Sequence, residues 1–309
     1  MNRFSMIFPG QGFQKFTNII NLSNTHSIIK NTFEEVSEYL KHNLLLLIKD
    51  IPVKKLYNSK FIESIIITTS VSIYRLWIEL KGKAPFIVAG NSLGEYSALI
   101  CSNVLTLKDT IKLIQFRSQL MKETVKNKKT AMQAIIGLDK KTVIDICKKQ
   151  TYNKIVTVSN FNTLDQIVIS GDQDAVKKAS IACKLAGAQH THMLPINVAS
   201  HCSLMKSAEK SLFNKLKKIN FKKPMYPILN NVDVKCESSK KKIVDALVRQ
   251  ISNPVRWQEI IEYMISKKII LILEAGSNAI LTKMHKKNST LKSIVLNNEK
   301  NFYKALSLT

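Results

Sequence analysis

The sequence predicts an α/β protein built on a parallel sheet, with a small βαββαβ unit inserted into it. Three observations lead there. Short apolar runs, Phe4 to Phe8, Phe86 to Ala89 and Ile269 to Leu273, each end in a glycine-containing loop, as strands of an open parallel sheet do at their carboxyl ends. Long segments of helical periodicity lie between them. From Thr130 to Asn197 the pattern shortens into strands and helices in the split βαβ, ferredoxin-like order. The expected division is a main domain, 1–128 and 197–309, and an insert, 129–196.

Phe4 to Phe8 runs into Pro9-Gly10-Gln11-Gly12. That loop lacks the third glycine of a dinucleotide fingerprint and no Walker lysine-serine pair follows, so its backbone amides are its chemistry. Residues 31–48 and 60–80 are helical in pattern, the second apolar on most sides around Ile65, Ile66, Ile67, Val71 and Ile73, as a core helix is. Next comes the strand Phe86 to Ala89, then Gly90-Asn91-Ser92-Leu93-Gly94, then a helix from Glu95. A G-x-S-x-G between strand and helix lifts the serine hydroxyl to the strand's end, where a helix N-terminus faces it. Alone, a glycine-flanked serine opening a helix is as well read as an N-cap and turn. Leu107 to Val125 is a helix with one arginine, Arg117, in an otherwise apolar stretch, a position that by itself equally fits a snorkelling surface residue.

The insert has expected strands at Ala131–Ile136, Ile155–Ser159, Gln166–Ser170 and Gln189–Leu194. Its helices are Lys140–Lys149, capped by Asp139, and Asp174–Ala186, ended by Gly187. The turn Asn160–Asp165 projects polar groups, either over the cleft or into solvent; Asn160, Asn162 and the following Gln166 are candidate substrate-binding residues. Ser200-His201-Cys202 then leads into a helix with the apolar face Leu204, Met205, Ala208, Leu212, Leu216 and Ile219. Helices at Lys241–Ile251 and from Arg256-Trp257, the strand Ile269–Leu273 with its loop Glu274-Ala275-Gly276, a short strand near Val295 and a last helix complete the 309 residues.

A formal net charge of +25 raises nucleic-acid binding. The lysines are spread over nearly every polar helix face, no aromatic-interleaved basic stripe occurs, and arginine, the preferred base and phosphate reader, appears only five times. No nucleic-acid partner is therefore expected; acidic partners and phosphorylated ligands are. No apolar run approaches the ~20 residues of a membrane span, and the first is too short for a signal peptide. Five scattered cysteines without a C-x-x-C pair suggest neither disulfides nor a zinc site. A cytoplasmic, monomeric protein with no metal, no bound cofactor and no membrane association is expected.

A serine nucleophile needs a base. Among the six histidines, His26, His42 and His285 stand in helical, lysine-containing surroundings and are read as surface residues. His190 and His192 alternate on one strand and would bind metal only with further ligands. His201 remains, at the start of a helix where the chain re-enters the main domain. The acids between Ser92 and His201, including Asp139, Asp145, Asp165, Asp172 and Asp174, fall largely on the insert, so a dyad whose histidine is oriented by a backbone or amide oxygen is favoured over a triad. The amides of Leu93 and of the loop at Gln11 are the oxyanion donors on offer.

With these residues in hand, the sequence resembles the malonyl-CoA:acyl-carrier-protein transacylases of type II fatty acid synthesis along essentially its whole length. The likeness rests on Phe8-Pro9-Gly10-Gln11-Gly12, Ser92-Leu93-Gly94-Glu95-Tyr96, Gln115-Phe116-Arg117-Ser118, Gln166-Ile167-Val168-Ile169-Ser170-Gly171, Ser200-His201-Cys202, and Arg249-Gln250 with Asn253-Pro254-Val255-Arg256-Trp257. It implies an α/β-hydrolase-like core with a ferredoxin-like insert. It also implies Ser92 as nucleophile, His201 as base, the Gln11 and Leu93 amides as oxyanion hole, Arg117 as the ligand of the malonyl carboxylate, and Gln250 as the group whose main chain orients His201. The substrates would be malonyl-CoA and a phosphopantetheine-bearing acidic carrier protein, whose binding salt should weaken. A serine acyl hydrolase or thioesterase with the same dyad is the rival enzyme, and a non-catalytic carrier-binding or basic nucleic-acid-binding protein, with the elbow as scaffold, the rival of another class.

Overall fold

The computed structural model describes residues 3–151, 153–196, 198–285 and 291–309. Met1, where the main domain is expected to begin, and Asn197, where its second part would resume, lie outside the described residues. In chain order the strands are β1 (Phe4–Phe8), β2 (Ile87–Gly90), β3 (Thr130–Ile136), β4 (Val156–Phe161), β5 (Gln166–Asp172), β6 (His190–Met193), β7 (Ile228–Leu229), β8 (Leu271–Glu274) and β9 (Lys292–Val295). Five form one sheet in the order β7-β2-β1-β8-β9, with every pairing parallel. The chain is thus an α/β protein on a parallel sheet, as its pattern predicts.

Strands β1, β2 and β8 are buried throughout, which is why each reads as a mostly apolar run, with Ser5 in β1 and Glu274 at the end of β8 as its polar members. Alternation along β1 divides the core: Phe4, Met6 and Phe8 pack with the helices Ile62–Glu79 and Leu107–Thr124, while Ile7 packs with Trp257, Ile260 and Met264 of the helix Trp257–Ser266 on the other face. Ile62–Glu79 is the expected core helix. Among its buried hydroxyls, Thr68 donates to Ser64 O at 2.7 Å, and Ser70 to Ala275 O at 2.9 Å, which ties the helix to the loop after β8.

A second, antiparallel sheet has the order β4-β5-β3-β6. The helices Lys140–Gln150 and Gln173–Leu185 bury Val143, Cys147, Val176, Ala179 and Cys183 with one of its faces. The other face carries Met132, Ala134 and Val168, with Leu194 and Ile196 packed against them.

Four features differ from the pattern-based expectation. The helix expected over 31–48 is two, Ser27–Leu40 and Leu44–Asp50, because Lys41 turns left-handed at φ 56° and Asn43 caps the second by accepting from Leu46 N at 3.0 Å. Strand β4 runs past Ser159 to Phe161 through an irregularity between Val158 and Asn160, so Asn160 and Phe161 are strand rather than turn. The cause is long-range: Phe161 N donates to Val255 O and Val255 N to Ser159 O, both at 2.9 Å. The helix after His201 opens with a 3₁₀ segment, Ser203–Ala208, before Glu209–Lys217. Finally, β7 and the helices Thr17–Thr25, Val53–Leu56 and Leu281–Met284 have no counterpart in the expected order; a two-residue strand or a four-residue helix has no periodicity to read.

Candidate active site

The site forms where the carboxyl ends of β1 and β2, paired at Phe8 and Gly90, release their loops side by side. Ser92 turns the chain from β2 into the helix Gly94–Cys101 at φ 51°, a left-handed conformation that non-glycine residues rarely adopt. Two glycines permit the close approach. A Cβ on Gly94 would stand 2.0 Å from Phe8 O, and one on Gly10 2.4 Å from Asn91 O. The two loops therefore touch through backbone, and Gln11 and Ser92 line one cavity.

Ser92 Oγ lies 2.6 Å from His201 Nε2, and His201 Nδ1 lies 2.6 Å from Gln250 O. A carbonyl only accepts, so Nδ1 carries the ring proton and Nε2 is left to accept from the Ser92 hydroxyl. The pair is a dyad in geometry, its imidazole steered by a main-chain oxygen. His201 is itself left-handed, at φ 58°, and its N–H donates to Ile251 O at 2.8 Å, so the end of the helix Lys240–Gln250 grips it twice. Burial holds the imidazole down at about 4, the positive charge of Arg117 acts in the same direction, and the bond to Gln250 O opposes both. The ring is therefore neutral, and able to take a proton, across the ordinary range. As pH falls, an unperturbed histidine would lose half its basic form near 6.5. Labelling of Ser92 by a fluorophosphonate is accordingly expected to hold its rate between about pH 8 and 5.5; a half-titration near 6.5 would contradict this environment.

Two residues that the motif reading left without a role hold the elbow. Asn231, just after β7, accepts from Ser92 N through Oδ1 at 2.7 Å and donates from Nδ2 to Gly90 O at 2.7 Å. Glu95 accepts from Asn231 N at 3.1 Å and from Gln250 Nε2 at 2.7 Å, both on Oε2; Gln250 Nε2 also reaches Ser92 O at 3.2 Å. Burial pushes the Glu95 carboxyl up to about 7 against the pull of these donors. Arg249 forks onto Asp233 at 2.9 and 2.6 Å, locking the Asn231 loop to the helix that presents Gln250. Gln14 shapes the facing loop: its Nε2 donates to Gly10 O at 2.5 Å and its Oε1 accepts from Gly12 N at 2.9 Å.

A cavity of about 530 Å³ opens over the dyad, lined by Gln11, Ser92, Leu93, Arg117, Asn160, Asn162, Gln166 and His201. Gln250 stands behind it. The apolar face of the second sheet forms part of its wall, through Met132, Ala134 and Val168. Gln11 and Leu93 line the cavity, and their amides make no hydrogen bond among the described residues. Arg117 is 3% exposed, which removes the snorkelling alternative. Its guanidinium carbon lies 5.7 Å from the Tyr96 ring centre, and its Nε has no hydrogen-bond partner among the described residues. Asn160 and Asn162 are buried against the cavity, so the solvated-turn alternative fails for them. Asn91, beside Ser92, also lines the cavity, with its Nδ2 buried and without a hydrogen-bond partner among the described residues.

The remaining histidines lie elsewhere. His190 and His192 stack with ring centres 5.9 Å apart on β6, and the described residues contain no group of three or more His, Cys, Asp and Glu side chains fit for a metal. His285 corrects the surface reading: it is buried, and its Nε2 accepts from Trp257 Nε1 at 3.0 Å. A buried indole N–H needs an acceptor, which outweighs the basic residues around this histidine in sequence.

The model of the acyl transferase domain family matches residues 5–302. The chain is 45% identical over 304 residues to the malonyl CoA-acyl carrier protein transacylase of Buchnera aphidicola subsp. Schizaphis graminum, covering 98% of this chain and 97% of that one. It is 40% identical to the Escherichia coli K12 protein of the same name, with both covered completely. A solved malonyl-transacylase in complex with its type II PKS acyl-carrier protein superposes with a TM-score of 0.96 at 39% identity, over 100% of both chains. The Coxiella burnetii malonyl CoA-acyl carrier protein transacylase superposes with a TM-score of 0.95 at 33% identity, over 99% of this chain and 97% of that one.

Proposed function

Because the chain belongs to the acyl transferase family, and within it to the malonyl-CoA:acyl-carrier-protein transacylases, we propose that it carries a malonyl group from coenzyme A to a carrier's phosphopantetheine thiol through an ester on Ser92. The observation that carries this reading is a buried guanidinium, Arg117, whose Nε has no hydrogen-bond partner among the described residues, in the cavity of a serine whose hydroxyl donates to a neutral histidine. A nucleophile and base alone would serve any acyl group. The cation adds a reason to choose one that ends in a carboxylate.

In the first half-reaction His201 Nε2 takes the Ser92 proton as Oγ attacks the thioester carbonyl. The carbonyl oxygen becomes an oxyanion held by the Gln11 and Leu93 amides, each such donor being worth roughly 10²–10³ in rate. Collapse breaks the carbon–sulfur bond, and the departing coenzyme A thiolate receives the proton from His201. The second half runs in mirror image: the carrier thiol gives its proton to His201, its sulfur attacks the ester, and Ser92 leaves with the proton. Gln250 orients His201 through its carbonyl, and Asn160, Asn162 and Gln166 line the approach for the thioester's amide-bearing arm. The chemistry requires no bound cofactor.

The order of the small sheet and the placement of its helices support reading 129–196 as a ferredoxin-like insert in an α/β-hydrolase-like core of 1–128 and 197–309. A lysine-rich surface favours an acidic carrier. The reading makes the protein a cytoplasmic monomer; no helix among the described residues is long and apolar enough to cross a membrane. Initial rates measured against both substrates are expected to give parallel double-reciprocal lines, the signature of a covalent intermediate. Intersecting lines would point to direct transfer within a ternary complex and overturn the ester.

A further inference from the structure

Glu63 sits in the first turn of the core helix Ile62–Glu79 and lines the same cavity as Ser92 and Arg117. Its Oε2 is buried and has no hydrogen-bond partner among the described residues. A carboxylate so placed is strongly disfavoured unless something answers its charge. The answer comes from the helix Leu107–Thr124, which presents Arg117 and Lys122; both act on Glu63, without closing into an ion pair with it. Other titratable groups around this part of the cavity are Lys60 and Tyr57 on the approach to the helix, Tyr96 on Gly94–Cys101, and His201. Burial pushes the Glu63 carboxyl above the usual carboxylate range, with Arg117 and then Lys122 pulling it back. The Tyr96 phenol is pushed up to about 12 and His201 down to about 4, so neither changes charge near neutrality.

We propose that Glu63 is a built-in rival of the substrate's carboxylate for Arg117, so that malonyl binding takes up a proton at Glu63. Ionised, Glu63 offsets the guanidinium charge and repels a second carboxylate; protonated, it leaves Arg117 to the malonyl group. The same counter-charge relieves the burden of an unpaired guanidinium when the acyl group is acetyl. Preference for malonyl over acetyl therefore falls as pH rises. Glu63 touches no reacting atom and acts through Arg117 on selectivity alone. The inference rests on the transferase reading above, since it takes the malonyl carboxylate to be Arg117's ligand.

The test is the rate and half-saturating concentration for Ser92 acylation by malonyl-CoA and by acetyl-CoA, from about pH 5.5 to 9, in the natural protein and in Glu63→Gln. In the natural protein the half-saturating malonyl-CoA is expected to climb towards about tenfold per pH unit above the Glu63 titration. The acetyl-CoA value, which shares the coenzyme's own ionising groups, stays level, and the limiting acylation rates are unchanged. Glu63→Gln flattens the malonyl profile and raises the malonyl-over-acetyl preference about tenfold at the alkaline end. Acylation with the same slope for both thioesters in the natural protein would overturn this inference alone, whether or not the variant folds, as would a malonyl slope unchanged in Glu63→Gln. Failure of both thioesters to acylate Ser92 would overturn the transferase reading, and this inference with it.

Discussion

Ser92→Ala is expected to lower malonyl transfer by at least about 10⁴-fold while leaving malonyl-CoA binding within a fewfold of the natural protein. The lost atom is the one proposed to form the ester, and no other hydroxyl among the described residues shares the 2.6 Å contact to His201 Nε2. The surrounding scaffold does not depend on that hydroxyl. Asn231 holds the Ser92 N–H and Gly90 O, and Gln250 holds Ser92 O, all through backbone atoms that alanine keeps. The melting temperature should therefore change little. His201→Ala should fall by a similar factor, and the double variant no further, because nucleophile and base act as one unit. Rates for the three variants and a thermal melt of each check this. A tenfold loss or less in Ser92→Ala would mean that the acyl group travels by another route.

Arg117→Ala is the second large effect. Its guanidinium is buried at 3% exposure against the Tyr96 ring and lines the cavity, and in the proposed reading it holds the malonyl carboxylate by two parallel hydrogen bonds. Losing one partner of such a pair costs about 3–5 kcal/mol, or roughly 10² to 5 × 10³-fold in kcat/KM for malonyl-CoA. Acetyl-CoA has no carboxylate to lose, so its kcat/KM should hold or rise. Competition of the two thioesters for a single enzyme sample gives the ratio directly. An unchanged ratio would remove Arg117 from acyl-group selection.

The parts legible in the sequence are those written in local pattern. The Ser92 elbow has a strand before it, glycines around it and a helix after it, and the core helix Ile62–Glu79 shows itself by its apolar run. The small sheet was readable because short strands and capped helices alternate there without interruption. The parts that were not legible depend on contacts across the chain. Asn231 follows a two-residue strand and reaches Ser92 from 139 positions away, so nothing around it in sequence marks it. Its nearest signal is the Asn230-Asn231 pair at a strand's carboxyl end. Arg117 has the same neighbours whether it snorkels or is buried, and only packing against Tyr96 decides. His285 lies in basic sequence but answers the Trp257 indole, and Asn160 reads as turn until Val255 draws it into β4.

The central claim is an ester on Ser92 that waits for a thiol rather than for water. Intact-mass analysis of the protein mixed with malonyl-CoA tests it most directly. The account predicts a single malonyl adduct, absent in Ser92→Ala, that persists in buffer and disappears when phosphopantetheine-bearing carrier protein is added. No adduct, or one that decays in buffer as fast as with carrier, would contradict it and favour a hydrolase.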